Sequence, residues 1–187
     1  MLLHVPRMYS EAEFKRLVQA LPEDFEQKKA EFWGYVYEKL AVFVGKVQRV
    51  YRDGICKNGE EALNQLGGFD IENYKIARKL VDDGALFEAT EDPLLIAESE
   101  GWLEMLGSGE SSSLVLEMFE ETMAERDRFV VKRIDETLVD DECGVLFMDP
   151  ARTVRLNENV KVIKVCRFDP LDYLKSFQIV LKSRVKA

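Results

Sequence analysis

The stretch CGVLFMDP, residues 143–150, decides the fold of this chain of 187 residues. Its centre, GVLFM, is a continuous apolar run that ends at an Asp-Pro pair. A strand of this composition is typical of the middle of a parallel sheet, where helices cover both faces. The later run VKVIKVC, residues 160–166, has a similar composition. We therefore expect both runs to be strands that are covered on both faces.

Short apolar runs alternate with longer segments of helical period upstream of this stretch. The runs LLHVP at 2–6, KVQRVYRDGI at 46–55 and ALFEATEDP at 85–93 are further strand candidates. This alternation is the pattern of an α/β domain with a mainly parallel sheet. We predict a single Rossmann-like three-layer α/β domain over residues 1–187, with about five mostly parallel strands and helices on both faces.

The helical segments have recognisable ends. Ser10 and Glu13 are spaced as a capping box, which predicts the start of a helix, and Pro22 ends that helix and begins the next. Gly84 is typical of a helix C-terminus. The segment GSGESSS at 107–113 predicts a flexible connection between two helices. It is not a phosphate-binding loop, because it follows a helix and no Gly-Lys-Ser/Thr closes it.

The charge of the chain is acidic, with a net value of −9. A phosphate backbone would be repelled by this field, so a nucleic-acid partner is not expected. Basic residues cluster only near the end of the chain, at Lys182, Arg184 and Lys186. We expect these side chains near a helix C-terminus, where they complement exposed carbonyl groups.

The cysteines and the hydropathy pattern predict a cytoplasmic protein with no membrane partner. The three cysteines are far apart in the chain, at Cys56, Cys143 and Cys166. Their odd number and the lack of a Cys-x-x-Cys pair predict neither a disulfide framework nor a zinc site. The N-terminal apolar run is shorter than that of a signal peptide, and no window reaches the roughly 20 apolar residues of a membrane span.

A charged turn interrupts the apolar stripe of the segment AERDRFVVKRIDETL, residues 124–138. At 3.6 residues per turn, Arg126 or Asp127 falls on the face that otherwise points inward. One interpretation is that the segment is two helices or a helix that overhangs the sheet. A second is that the charges form a buried ion pair. A third is that Arg126 and Arg128 help to form a polar pocket, with Glu125 orienting one of them. We predict that Arg126 or Asp127 is substantially buried beside an opposite charge or a backbone group.

The segment ERDRFVVKRIDETL, followed by GVLFMDP, resembles the helix-then-strand segment of TraB-type proteins. It is also similar to the closing α/β segment of archaeal release-factor-like proteins, which implies a protein-interaction role at the ribosome. Both resemblances cover about residues 120–150. The TraB-type strand ends in Gly-x-Gly-His, whereas this chain has Asp149 and Pro150 there and His4 as its sole histidine. If the TraB type implies a histidine-dependent metal chemistry, this chain lacks the residue for it.

Polar residues follow each predicted strand, at the edge where an open parallel sheet binds its ligands. They are Arg7, Arg52, Asp53, Glu88, Thr90, Glu91, Asp92, Asp149, Arg152, Arg167 and Asp169. Arginines at this edge can grip a small anionic ligand. The candidate ligand-binding residues are Arg52, Asp53, Arg126, Arg128, Asp149 and Arg152. The Asp-Gly and Asp-Pro pairs also fit ordinary turns, in which the aspartate accepts hydrogen bonds from its own turn.

Two functions of different classes follow from this edge. The first, which we prefer, is a non-enzymatic module that binds a small anionic ligand or a protein partner, since the sequence contains no complete catalytic constellation. Gly-x-Ser-x-Gly is absent, and we expect His4 to be a buried, hydrogen-bonded core residue.

The alternative is a divalent-metal-dependent hydrolase that acts on a phosphoester or another anionic substrate. Carboxylates at the strand ends would then hold Mg²⁺ or Mn²⁺, because hard cations take oxygen ligands. The candidate metal ligands are Asp53, Glu91, Asp92 and Asp149. This alternative requires three of the carboxylates that follow the strands to lie within reach of one metal ion.

Overall fold

The strands and helices of the chain alternate as the sequence predicts. The computed structural model describes the backbone of residues 1–108 and 112–185, and the side chains of those residues up to 179. The strands in these ranges are β1 (Leu2–Pro6), β2 (Arg49–Arg52), β3 (Leu86–Phe87), β4 (Gly144–Met148) and β5 (Val162–Lys164). The helices are α1 (Glu11–Val18), α2 (Phe25–Ala41), α3 (Gly59–Gly67), α4 (Ile71–Asp82), α5 (Pro93–Gly107), α6 (Ser113–Thr137) and α7 (Pro170–Val185).

Two predictions fall on parts of the chain outside this description. The predicted flexible connection at 107–113 includes residues 109–111, which lie outside the described residues. The side chains of the basic cluster at Lys182, Arg184 and Lys186 also lie outside them. Both statements therefore stay predictions.

The five strands form one parallel sheet in the order β3-β2-β4-β1-β5. In the register of the central pairs, Gly144 at the start of β4 lies opposite Leu2 on one side and Arg49 on the other. The predicted Rossmann-like α/β fold is confirmed by this all-parallel sheet and its helices. No helix in the described part of the chain combines the length and the apolar content that crossing a lipid bilayer requires.

The two long apolar runs occupy different places in the sheet. All five residues of β4 are buried, and β4 lies between β1 and β2, as the sequence predicts. The prediction for the second run is wrong: β5 is an edge strand that pairs with β1, and Val162 is 48% exposed. The physical reason is that β5 lies at the edge of the sheet and has a neighbouring strand on one side only. Its apolar side chains therefore stay partly exposed although its composition resembles that of β4.

Side chains of the three central strands alternate between two cores of unequal size. Val145 and Phe147 of β4 point into the larger core, which is completed by buried residues of α1, α2, α3, α4 and α7. Leu146 and Met148 point to the opposite face, into the smaller core. That core is completed by Leu2, Tyr51, Val130 and Ile134, the last two from α6. The alternation follows from the two-residue period of a strand.

The chain changes direction between β1 and β4. From β1 it moves to β2 and β3 through helices on the face of the larger core, and it returns to β4 through α5 and α6 on the other face. The connection that leaves β4 runs to β5, away from β2. Adjacent strands whose connections leave in opposite directions open a crevice at their carboxyl ends, which is where open α/β sheets bind ligands.

Close packing around the start of β4 makes Gly144 a sensitive position. A Cβ atom there would lie 2.9 Å from Leu2 Cδ1 and 3.1 Å from Tyr51 Cε2. We expect Gly144→Ala to lower the free energy of unfolding by about 1–3 kcal/mol, the usual cost of overpacking a core. Urea unfolding measures this change.

The matched control is Gly34→Ala in the middle of α2, where a Cβ atom would meet nothing within 4 Å. This substitution is expected to raise the stability by about 0.5–1 kcal/mol, because glycine is a poor helix former. A Gly144→Ala protein as stable as the parent would contradict the tight contact between β4, β1 and β2.

Candidate functional site

Charged side chains from the strand ends and from α6 interlock at the carboxyl edge of the sheet. We call this group the rim network. Its members are Arg7, Arg52, Asp53, Glu91, Arg126, Asp127, Asp149 and Arg152. Five of the six predicted ligand-binding residues, all except Arg128, belong to it.

Glu91 is the most buried carboxylate of the rim network, with a side chain that is 0% exposed. It follows β3, and its backbone N–H donates to the carbonyl of Ile55. Its Oε1 accepts a hydrogen bond of 3.0 Å from the backbone N–H of Gly54 and also contacts Arg152, while Oε2 accepts one of 2.5 Å from Arg126 Nε. Its carboxylate therefore joins the ends of β2 and β3 to α6 and to the segment after β4.

Two residues of the charged turn of α6, Arg126 and Asp127, point toward this edge of the sheet. Arg126, whose side chain is 14% exposed, donates to Glu91 and to Ser99 Oγ of α5, at 2.8 Å for the latter. Asp127 accepts a hydrogen bond of 2.8 Å from Arg152 Nε. The prediction of a buried, paired charge is confirmed. The interpretation as two helices is wrong, because α6 is continuous from Ser113 to Thr137.

Arg128 lies outside the rim network. Its side chain is 68% exposed, and its contact with a carboxylate is with Glu125, one turn earlier, at 3.5 Å. The helical period explains the difference, because Arg126 and Arg128 point about 200° apart around the helix axis. The structure therefore does not bring Arg128 together with the other candidate binding residues.

Asp53 links the ends of β1, β2 and β4. Its Oδ2 accepts a hydrogen bond of 3.0 Å from the backbone N–H of Asp149, and Arg52, Arg7 and Arg152 surround the carboxylate. Burial alone would raise the pKa of Asp53, but the three guanidinium groups and this hydrogen bond outweigh it and hold the pKa below the ordinary 3.8. Asp53 is therefore ionised at neutral pH.

Arg7 joins the first helix to the rim network. Its Nη2 lies 2.8 Å from Glu13 and 3.0 Å from Asp149. Glu13 also closes the predicted capping box with Ser10 at the start of α1, so one carboxylate caps a helix and positions an arginine. Asp149 accepts in addition a hydrogen bond of 2.8 Å from the backbone N–H of Ala151, which is the turn role that the Asp-Pro pair predicts.

A cavity of about 270 Å³ opens beside Arg7 and Arg52, and we call it the rim pocket. Its walls come from the end of β1, the N-termini of α1 and α4, and one face of α2, and they include Lys29, Phe69 and Asp70. The guanidinium carbon of Arg52 lies 5.1 Å from the centre of the Phe69 ring. The Nε atoms of both arginines are buried, and neither has a hydrogen-bond partner among the described residues.

Reasoning from the sequence missed most of the rim pocket, including Lys29, Phe69 and Asp70. They lie on helices or just before one, whereas the prediction considered residues that follow strands. Asp70 carries a signal that could have been used: it is an N-cap residue, and its Oδ1 accepts from the backbone N–H of Asn73 at 3.2 Å. Nothing in the sequence marks Lys29.

The candidate metal ligands are not gathered into one site. Among residues 1–108 and 112–179, no three His, Cys, Asp or Glu side chains are placed to hold one metal ion. Asp53, Glu91 and Asp149 are paired with arginines, and Asp92 caps α5 by accepting from the N–H of Leu94 at 2.7 Å. The geometric condition of the hydrolase hypothesis is therefore not met. Arginine side chains from other elements contact the carboxylate oxygen atoms that a metal ion would need as ligands.

Two further polar residues that follow strands, Glu88 and Asp169, form ion pairs outside the rim network. Glu88 pairs with Arg49 at 2.5 Å, and Asp169 pairs with Lys164 at 2.6 Å and caps α7. The expectation of a buried, hydrogen-bonded His4 is wrong, because the residue is only half-buried and its Nε2 has no hydrogen-bond partner among the described residues. Burial and the nearby ammonium of Lys164 lower the pKa of His4, so its imidazole is neutral at pH 7.

Comparisons of the chain with models of protein families, with curated proteins and with solved structures find no match. The resemblance of residues 120–150 to TraB-type and release-factor-like proteins stays a prediction.

Arg126 and Arg128 form a matched pair for testing the rim network. We expect Arg126→Ala to lower the free energy of unfolding by about 3–5 kcal/mol, because it leaves the buried carboxylate of Glu91 short of a partner. Arg128→Ala should cost less than about 1 kcal/mol, as is usual for an exposed pair. Urea unfolding of both variants makes the comparison. Equal midpoints would contradict a structural role for the buried pair.

The pH dependence of stability should report the two aspartates that face Arg52. The pKa of Asp53 is lower in the folded chain than the ordinary 3.8, so its contribution to stability is present above that pH and is lost as the pH falls through the folded pKa. Burial raises the pKa of Asp70 although Arg52 opposes the shift, so Asp70 contributes with the opposite sign.

We expect the urea midpoint to fall as the pH is lowered below about 4. Asp53→Asn should reduce the midpoint at pH 7 and flatten this fall. Asp70→Asn should leave the midpoint at pH 7 near or above that of the parent. It should also make the fall steeper, because the stability that the chain gains when Asp70 is protonated is then lost. Identical pH profiles for the parent and both variants would contradict these assignments.

Proposed function

We propose that this chain is a binding module that holds a small anionic ligand in the rim pocket. The observation that carries the proposal is the cavity itself, which is bordered by three cationic side chains, those of Arg7, Arg52 and Lys29. Oxygen atoms of a bound carboxylate or phosphate would accept hydrogen bonds from such side chains.

The electrostatics of the rim pocket support an anion. Its three carboxylates are already engaged: Glu13 and Asp70 each accept from the backbone at a helix N-terminus and lie near an arginine, and Glu72 pairs with Lys75 at 3.0 Å. Lys29 has only a loose contact of 3.9 Å with Glu26. Both α1 and α4 begin at the pocket, and the positive ends of their dipoles favour a negative charge there.

The shape of the rim pocket supports a small ligand with a flat body. Its volume of about 270 Å³ is near the lower end of the range for small-molecule sites. Phe69 is 51% exposed and lies against the guanidinium of Arg52, so its ring offers a surface on which a planar group can stack. We infer an anionic head that meets the arginines and an unsaturated or aromatic body beside Phe69.

We propose binding rather than hydrolysis because of the state of the rim carboxylates. Asp53, Glu91 and Asp149 are held in ion pairs with Arg7, Arg126 and Arg152. The oxygen atoms of these carboxylates are contacted by guanidinium groups, so they are poorly placed to take up a metal ion. The rim network instead fixes the arginines that border the rim pocket.

Lys29→Gln tests the rim pocket with little risk to the fold, because Lys29 belongs to the pocket wall and not to the rim network. Inorganic phosphate and malonate are the probes, and binding is measured by calorimetric titration of the full chain. At about 100 times its dissociation constant a bound anion should stabilise the fold by roughly 2.7 kcal/mol, which raises the melting temperature by about 5–10 °C. Lys29→Gln should weaken binding and reduce this rise.

The control variant is Lys57→Gln, which makes the same charge change at a side chain that is 62% exposed, away from the rim pocket. Phosphate also stabilises proteins through exclusion from their surface, and that effect should be equal in both variants. A rise in melting temperature that is the same in the parent and both variants, with no heat of binding, would overturn the proposal.

A further inference from the structure

The negative charge of the chain is concentrated in one continuous segment. Residues 80–125 contain thirteen acidic residues and no Lys or Arg. The negative charge of this segment is therefore larger than the net charge of −9 of the whole chain. Most of this segment is the helical hairpin of α5 and the first half of α6. Six glutamates of the hairpin are exposed and pair with no Lys or Arg of the described residues: Glu98, Glu100, Glu104, Glu117, Glu120 and Glu121.

Apolar residues lie between the acidic residues of the hairpin, but few residues of the hairpin are buried. The only buried residue of α5 is Ser99, and those of the first half of α6 are Val115 and Thr122. The residues that α6 contributes to the smaller core, Val130 and Ile134, lie beyond the charged turn. The hairpin therefore extends past the sheet, and its two helices pack mainly on each other.

Large aliphatic side chains remain uncovered at the far end of the hairpin. Leu103 is 43% exposed, Leu114 61% and Leu116 48%. Trp102, Met105, Met118 and Phe119 are only partly buried. We call residues 102–107 and 113–121 the hairpin tip. An apolar surface rimmed by charges is characteristic of a protein interaction site.

The negative charge of the hairpin tip determines which kind of partner can bind there. A second copy of the chain would bring the same unpaired glutamates against the first, and like charges placed together across an interface oppose association. Nucleic acids and anionic lipid surfaces are repelled for the same reason. The surface that fits is apolar and basic at once. We propose that the hairpin tip binds a basic amphipathic helix of a partner protein.

The chemistry of the tip suits such a helix. An amphipathic helix can lay its apolar face against the exposed leucines of α5 and α6, and its basic face then lies near the glutamates. The methionines at 105 and 118 provide side chains that adapt to different apolar partners. The glutamates on either side meet the lysines and arginines of the partner, which speeds association and makes binding sensitive to salt. This surface is separate from the rim pocket, so either proposal can fail without the other.

The experiment uses the full chain and a fluorescent synthetic peptide of leucine and lysine whose leucines form one face of a helix. We expect saturable binding in fluorescence anisotropy, weakened by added salt. Two control peptides should not bind: one with glutamate in place of lysine, and one with the same composition in an order that has no apolar face. Binding of the second control with equal affinity would overturn recognition of an amphipathic helix.

Variants of the hairpin tip locate the site. The triple variant Glu117→Gln, Glu120→Gln, Glu121→Gln should bind the peptide roughly tenfold more weakly, because each exposed charge pair contributes a part of that loss. The double variant Leu103→Gln, Leu116→Gln should lose binding, and thermal unfolding should show that the fold is kept, since both residues are more than 40% exposed and neither belongs to a core.

The matched control makes the same charge change at three exposed glutamates elsewhere, Glu26→Gln, Glu61→Gln and Glu158→Gln. It should bind the peptide nearly as well as the parent does. Equal weakening in the two triple variants would mean that the peptide responds only to overall charge, and would overturn the proposal. Dimerisation of the free chain that the leucine substitutions abolish would also overturn it, in favour of a second copy as the occupant.

Discussion

The structure depends on one buried carboxylate, that of Glu91. Water cannot reach this group, so an ionised carboxylate is tolerable there only because Gly54, Arg126 and Arg152 contact it. These three partners come from the loop after β2, from α6 and from the segment after β4. A single charge thus fixes the direction in which α6 crosses the sheet and the position of the segment that leads to β5.

This constraint also determines which charges remain for other molecules. The arginines of the rim network are paired with its carboxylates, and two of them, Arg7 and Arg52, also border the rim pocket beside Lys29. The glutamates of the hairpin receive no such neutralisation. Cationic groups thus remain available at the edge of the sheet, whereas the hairpin beyond the charged turn carries only negative charge. The two surfaces suit partners of opposite charge.

The sequence predicts the fold and the edge of the sheet at which the charged residues of the candidate site lie, because both depend on local patterns. Alternating apolar runs, the capping box at Ser10 and the missing apolar step at Arg126 are visible without coordinates. Two features depend on neighbours that are distant in the chain. The similar compositions of the two long apolar runs conceal that β5 has one neighbouring strand, and carboxylates that looked free to share a metal ion are paired with Arg126 and Arg152.

The edge strands of the sheet are unusually short. Leu86–Phe87 forms one margin with two residues, and Val162–Lys164 forms the other with three. An exposed strand edge is a template on which further chains can add their own strands, and long flat edges lead to aggregation. Each margin here offers only a few free N–H and C=O groups, and a lysine closes one of them. The sheet therefore resists growth into intermolecular β-structure, even though Val162 and Leu86 leave apolar surface at its margins.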